Sequence, residues 1–272
     1  MQHALALKQG LSTAQTLSKL TQHMDARREM KLVAAQILPV AGEVEKNITR
    51  HIDVIHLAAS QGAQLVLFPE LSLTGYEPKL AEALAVHPCD SRFDEFQKLS
   101  DQYGMLIAVG VPTKGTQGTE ISMITFQPGL ERTRYSKQHL HADELPFFTA
   151  GTQQLVLSQA NFVLAPAICY ESLQPIHAEQ AAASGAQVYL ASVAKSERGI
   201  TSAYSHYPMI AKQHSMTVIM ANCIGAADDF VAAGCSAIWN SDGELVCSAD
   251  AFQEALVAYD IQTGEASIFS LV

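Results

Sequence analysis

The chain has 272 residues, of which 48% are hydrophobic and 16% charged, enough apolar material for a sizeable core and too much for a disordered chain. Seventeen basic against 27 acidic residues give a net charge of −10, which excludes the basic face that nucleic-acid or anionic-membrane partners call for. No run of 18 apolar residues appears, so no membrane-spanning helix is expected.

Residues 1–29 differ from the rest of the chain. They are rich in Gln, Ser, Thr and Leu, and Asp25 and Glu29 are their only acids. Ala4, Leu7, Leu11, Ala14, Leu17, Leu20 and Met24 recur at helical spacing, so an added amphipathic helix is expected. An organellar leader and translation from upstream of the native start are the other readings. Met30 opens a strand-like run and is a credible alternative start to Met1. Activity is expected to survive removal of the extension.

Residues 32–38 then read as a buried strand. Residues 42–62 carry Val44, Ile48, Ile52, Ile55 and Ala59 on one helical face, and Gly62 closes the helix. The short apolar run 64–68 is a buried strand that stops at Pro69-Glu70. A helix over 92–103 ends at Gly104, and strands follow over 105–111, 121–126 and 133–135. In the second half, strands are expected over 161–168, 188–193 and 217–222. A Pro-led helix over 175–185 and a helix over 204–214 separate them. Short strands near 236–239, 244–247 and 255–259 finish the chain, the first two joined by an Asp242-Gly243 hairpin turn. The β-α-β alternation in both halves predicts an α/β fold. No linker rich in Pro, Gly or Ser interrupts it, so one domain over 30–272 is expected.

Three polar residues sit where apolar strands stop, and ligands of α/β sheets collect beyond the carboxyl ends of strands. Cys169 lies between a strand and a Pro-led helix, where the dipole favours a thiolate; a buried strand-end thiol is the alternative. Glu70 follows a dense apolar run that would desolvate it toward the range of a general base; an exposed loop acid is the alternative. Lys137 would hold a developing oxyanion if buried, or be a solvated surface lysine. His139 and His141, followed by Asp143 and Glu144, invite a metal, but no distant third ligand stands out and none is expected. His177, His206 or His214 could supply the imidazole of a Cys–His pair. Five cysteines, an odd number without a C-x-x-C pair, point to a reducing, cytoplasmic compartment.

As a set these segments resemble the nitrilase superfamily, the carbon–nitrogen hydrolases, over residues 31–262. The matching pieces are AAQ at 34–36 with Asn47, GAQLVLFPELSLTGY at 62–76, YSKQHL at 135–140 and ICYE at 168–171. Gly185-Ala186, GCS at 234–236 and Asp242-Gly243 also fit. The resemblance implies a four-layer α-β-β-α sandwich and a Glu70-Lys137-Cys169 triad. Glu144 matches the family's second glutamate, and the Tyr170 backbone N–H is the oxyanion donor. Ala194 and Lys195 would line the pocket, with Lys195 or Arg198 available to a substrate carboxylate. Where true nitrilases usually carry Trp, this chain has Tyr170, which favours amides over nitriles.

The implied activity is hydrolysis of a non-peptide C–N bond, in a small amide or an N-carbamoyl compound, through a thioester on Cys169, with ammonia or amine released. No metal or organic cofactor is implied, and a homodimer or larger homo-oligomer is. A soluble acyl transferase using the same thioester and a non-catalytic binding protein are the alternatives. Glutaminase-domain relatives feed an attached synthetase domain; with no length left for one, a free-standing hydrolase is expected.

Overall fold

The computed structural model describes residues 30–271; the expected N-terminal helix lies outside the described residues. Strand β1 (Lys31–Gln36) is followed by helix α1 (Val44–Ser60), β2 (Leu65–Leu67), the one-turn α2 (Ala81–Leu84), α3 (Asp94–Tyr103), β3 (Leu106–Lys114), β4 (Thr119–Phe126) and β5 (Thr133–Ser136). The second half holds β6 (Leu157–Gln159), β7 (Phe162–Ile168), α4 (Pro175–Ala183), β8 (Val188–Val193), α5 (Glu197–His214), β9 (Thr217–Asn222), β10 (Ile224–Ala227), β11 (Phe230–Ala233), β12 (Ala237–Trp239), β13 (Leu245–Ser248), β14 (Ala255–Asp260) and β15 (Ala266–Ser270).

Two sheets result. One has the order β15-β14-β1-β2-β3-β4-β5, the other β13-β12-β9-β8-β7-β6, and β10 and β11 form a separate ribbon. In each, the central three strands are parallel and the flanking ones antiparallel. The side-chain period of two explains the layering. Leu32, Ala34, Leu65 and Leu67 face one core with Leu164, Ile168, Leu190 and Ile219 of the second sheet. Their neighbours Val33, Ala35, Val66 and Phe68 face α1 and α3, and Ala165, Tyr189 and Val218 face α4 and α5. These central strands are therefore apolar on both faces and the layers run α-β-β-α, as the resemblance implied. Ser192 Oγ donates across the central layer to Phe68 O at 2.8 Å, and Gln36 Oε1 accepts from Ser236 N at 2.9 Å.

The structure departs from the expected elements where side chains compensate for poor local signals. Helix α5 starts at Glu197, seven residues before the expected 204. Thr201, Ser202 and Ser205 bond back to the carbonyls of Glu197, Arg198 and Thr201, which lets a Ser/Thr-rich stretch stay helical. Strands β6, β10, β11 and β15 were not expected. Strand β6 is a three-residue edge, β15 is largely exposed and pairs only with β14, and β10 and β11 are rich in Ala and Gly.

Candidate active site

Glu70 follows β2. Its turn is stitched to β3: Leu73 N donates to Gly110 O at 3.0 Å, and Gly110 N to Ser72 Oγ at 3.2 Å. Lys137 follows β5, which runs parallel to β2 across the sheet because two antiparallel pairings separate β3 from it. Its backbone is held on both sides, by Ile121 O at 2.9 Å and by Gly151 N at 2.8 Å. Cys169 follows β7 of the other sheet with φ of +44°, a left-handed conformation that a non-glycine residue adopts at a cost of about 1–3 kcal/mol. The surroundings hold it there: its N–H donates to Ser192 O at 3.0 Å. Both sheets thus present the carboxyl ends of parallel strands at one edge, and the three predicted residues meet there.

The ammonium of Lys137 is fully buried and donates to Glu70 Oε1 at 2.8 Å and to Glu144 Oε1 at 2.6 Å. Glu144 Oε1 also accepts from Tyr76 OH at 3.0 Å, and its Oε2 from His141 N at 2.7 Å. Glu70 Oε2 is different: it is buried and receives no hydrogen bond. Burial pushes the Glu70 carboxyl above its ordinary range, against the pull of Lys137. Burial opposes the charge of Lys137, but Glu70, Cys169 and Glu144 more than offset it and hold the ammonium above its usual range. The Cys169 thiol is raised to about 11, by burial first and then by Glu70, while Lys195 and Lys137 pull it down. The exposed-loop reading of Glu70 and the solvated reading of Lys137 are therefore both excluded, with residues 1% and 0% exposed.

Cys169 Sγ donates to Ala194 O at 3.6 Å, and Lys195 Nζ lies 3.7 Å from Sγ. No imidazole bonds to this sulfur among the described residues, which removes the Cys–His alternative. His177 instead bonds Tyr135 OH at 2.8 Å and Tyr189 OH at 2.7 Å, and burial lowers it to about 4. His139 packs edge-on against His177, and His141 bonds Asp143. No group of three potential metal-binding side chains occurs among the described residues. Arg198 is exposed on α5.

Three contributors escaped the sequence reading. Glu171 is fully buried and accepts from Ile168 N at 2.7 Å, Gln138 N at 2.6 Å, His139 N at 3.2 Å and Tyr135 OH at 2.7 Å. It ties the turn bearing Cys169 to the segment bearing Lys137, and burial raises it to about 7 despite those donors. Asn222 accepts from Lys195 N at 2.8 Å and donates to Lys195 O at 3.1 Å. A polar residue ending the apolar strand 217–222 was the signal for it, the same one that marked Glu70 and Cys169. Tyr76 closes the motif at 62–76 and packs on Phe230 at 5.5 Å, so the β10–β11 ribbon forms one wall. A surface groove of about 700 Å³ runs beside Phe147 and Thr149, but neither Glu70, Lys137 nor Cys169 lines it.

A glutamine-dependent NAD(+) synthetase of Acinetobacter baylyi is 27% identical over 244 residues, covering 84% of this chain; the chain spans only 43% of that relative's length. Two structures of the amidase from Nesterenkonia sp. AN1 are similar at 25% identity and a TM-score of 0.77. One carries a covalently added acetamide moiety of fluoroacetamide at the active-site cysteine, with 86% of this chain and 91% of that chain covered. The other is in complex with butyramide, with 88% and 93% covered. The profile of the family described as "Carbon-nitrogen hydrolase" matches residues 31–267. With that match across nearly all of the described residues, on a four-layer sandwich, the chain belongs to the carbon–nitrogen hydrolase family.

Proposed function

We propose that the protein hydrolyses a small amide or N-carbamoyl compound through a thioester on Cys169, releasing ammonia or an amine without a cofactor. The observation that carries this reading is the buried cluster itself. One lysine is shared by two carboxylates, one carboxylate oxygen is left without a donor, and the cysteine beside them is held at a strained turn. Strain and unsatisfied buried polar atoms gather at functional sites. The covalent adduct on the cysteine of the Nesterenkonia amidase supports the same chemistry.

In this mechanism Glu70 Oε2 takes the thiol proton as sulfur attacks the carbonyl carbon. The tetrahedral oxyanion is held by Lys137 Nζ and the Tyr170 backbone N–H. Collapse breaks the C–N bond, and the amine leaves with the proton that Glu70 took from the thiol, passed directly or by way of Glu144, which leaves Glu70 ionised again. Water then adds to the thioester, giving its proton to Glu70. The acid departs, and the thiol recovers a proton. Ala194 and Lys195 border the sulfur in this reading. The five cysteines are free thiols, which supports a reducing, cytoplasmic setting, and we take the unit to be a homodimer or larger homo-oligomer.

The test is ammonia release from a panel of aliphatic amides, glutamine, N-carbamoyl compounds and nitriles, beside Cys169→Ala. Release by the wild type alone is the expected result. Cys169→Ala with wild-type turnover refutes the mechanism. Added hydroxylamine captures the thioester as hydroxamate and measures any competing acyl transfer.

A further inference from the structure

Lys137 has its charge already shared between two carboxylates. Its ammonium is bonded to both Glu70 and Glu144, so two carboxylates and one ammonium leave the cluster one negative charge in excess. Passing the thiol proton to Glu70 keeps that excess at one but moves it onto the sulfur, away from the ammonium that Glu70 and Glu144 hold. Lys195 is the other cation at hand. It is 4% exposed, no carboxylate lies within ion-pairing distance of it among the described residues, and its Nζ bonds only to Cys169, to O at 3.5 Å and to Sγ at 3.7 Å. A buried ammonium without an anion is costly, and the sulfur is the nearest group able to become one.

The backbone is built to hold this lysine in place. Asn222 grips its N–H and its carbonyl, and Ala233 N donates to the same carbonyl at 2.9 Å. A Cβ on Gly199 would stand 3.1 Å from Lys195 Cβ and 3.3 Å from its Cγ. The lack of a side chain at Gly199 therefore leaves the first turn of α5 clear for the lysine stem.

We propose that Lys195 is the counter-ion of the Cys169 thiolate, a second catalytic lysine that makes the nucleophile while Lys137 serves the oxyanion. This rests on the reading of Cys169 as the nucleophile. The charged and titratable groups facing the thiol are Glu70 beyond β2, Lys137 and Glu144 beyond β5, Lys195 beyond β8, Cys223 beyond β9, Tyr207 on α5, and Tyr76. His206 on α5 faces Lys195, and burial first and then that charge lower it from its ordinary range. Of these groups the two lysines favour the thiolate, Lys195 more than Lys137.

The experiment is the pH dependence of Cys169 alkylation by iodoacetamide, with the labelled cysteine located by mass spectrometry and ammonia release followed in parallel. A unit charge at this distance in a poorly screened site moves an ionisation by at least about one pH unit. Lys195→Met is therefore expected to shift the inflection upward by that much and to slow labelling about tenfold below it, and Lys195→Arg to restore most of the loss. Gly199→Ala, which keeps the ammonium but displaces its stem, shifts the inflection the same way by less, and serves if Lys195→Met does not fold. Labelling of Cys169 with an inflection unmoved in both Lys195→Met and Gly199→Ala overturns the role of Lys195 and leaves the nucleophile reading standing. Failure to label Cys169 at any pH, with Cys169→Ala still active, overturns both.

Discussion

Replacing Gly110 by alanine tests whether the rigid contact between β3 and the Glu70 turn sets the rate. Gly110 lies on β3, with the backbone of that turn directly above it. A Cβ built there would stand 3.0 Å from the Glu70 carbonyl carbon and nearer still to Pro69 O and Leu71 N, whereas ordinary contacts begin at 3.4 Å. All three neighbours are main-chain atoms, so no side chain can swing aside. The turn must withdraw, by roughly 1 Å for van der Waals distance to be recovered. The hydrogen bonds of Gly110 to Ser72 and Leu73 stretch with it. Overpacking of this kind costs about 1–3 kcal/mol of stability, which is a loss of several degrees in Tm for a domain of this size. Misplacing a catalytic group by that distance costs on the order of 10²-fold in rate, about 2.7 kcal/mol of transition-state stabilisation. The assay is kcat and KM for ammonia release from the best amide, with a thermal melt on the same sample. Gly104→Ala is the control: Gly104 caps α3 at φ +64° with nothing within 4 Å of a built Cβ. It should lose about 1 kcal/mol of stability with kcat unchanged. A Gly110→Ala enzyme that melts lower but keeps kcat within twofold of wild type refutes that coupling.

Lys137→Met leaves Glu70 and Glu144 buried together without their shared cation and should cost about 3–5 kcal/mol in chemical denaturation at pH 7. The deficit should shrink as the pH falls, because the Glu70 carboxyl, already raised by burial, takes up a proton in place of the lost ammonium; a deficit that does not change with pH refutes the charge account. Acid should unfold the protein through two buried imidazoles. His51, stacked on Phe68 and bonded to Asn47 O and Ser72 Oγ, is lowered by burial to about 3, and His177 to about 4, from an ordinary 6.5. Both stay neutral when folded and gain a proton on unfolding. Their contribution is whole above pH 6.5 and falls by about 3 kcal/mol each by pH 4. Urea midpoints of His177→Gln should therefore decline less between pH 7 and pH 4 than those of wild type, and equal declines refute the assignment. Glu171→Gln keeps the side-chain oxygen that accepts backbone N–H groups but loses a charge, and should depress kcat more than KM by loosening Gln138 from Ile168; an unchanged kcat shows the tie to be structural only.

Glu70 and Cys169 were legible as candidates because each ends an apolar run, and Lys137 because it follows a short strand; a polar residue at a strand's carboxyl end has few purposes in an α/β sheet. Glu144 came from the family resemblance alone, since no local pattern marks a loop glutamate. Glu171 and Tyr76 were in view within the matching motifs but carried no role. Their importance lies in partners 33 and 68 residues distant, and sequence spacing does not encode such distances.

What the sequence determined by itself is the period of its elements. Apolar runs bounded by Pro, Gly and polar residues set the parallel strands and the α1 and α3 helices, because alternation and helical spacing are local properties of the chain. The tertiary structure alone decided the extent of α5, whose first turns lean on serine and threonine hydroxyls, and the β10–β11 ribbon, whose Ala and Gly residues have little strand preference of their own. It also decided the charge state of the site. A lysine with a glutamate seven residues on, and a second glutamate 67 residues before it, are ordinary surface residues until two sheets bury them together. In the low dielectric of the shared core the charge of each then depends on the other two.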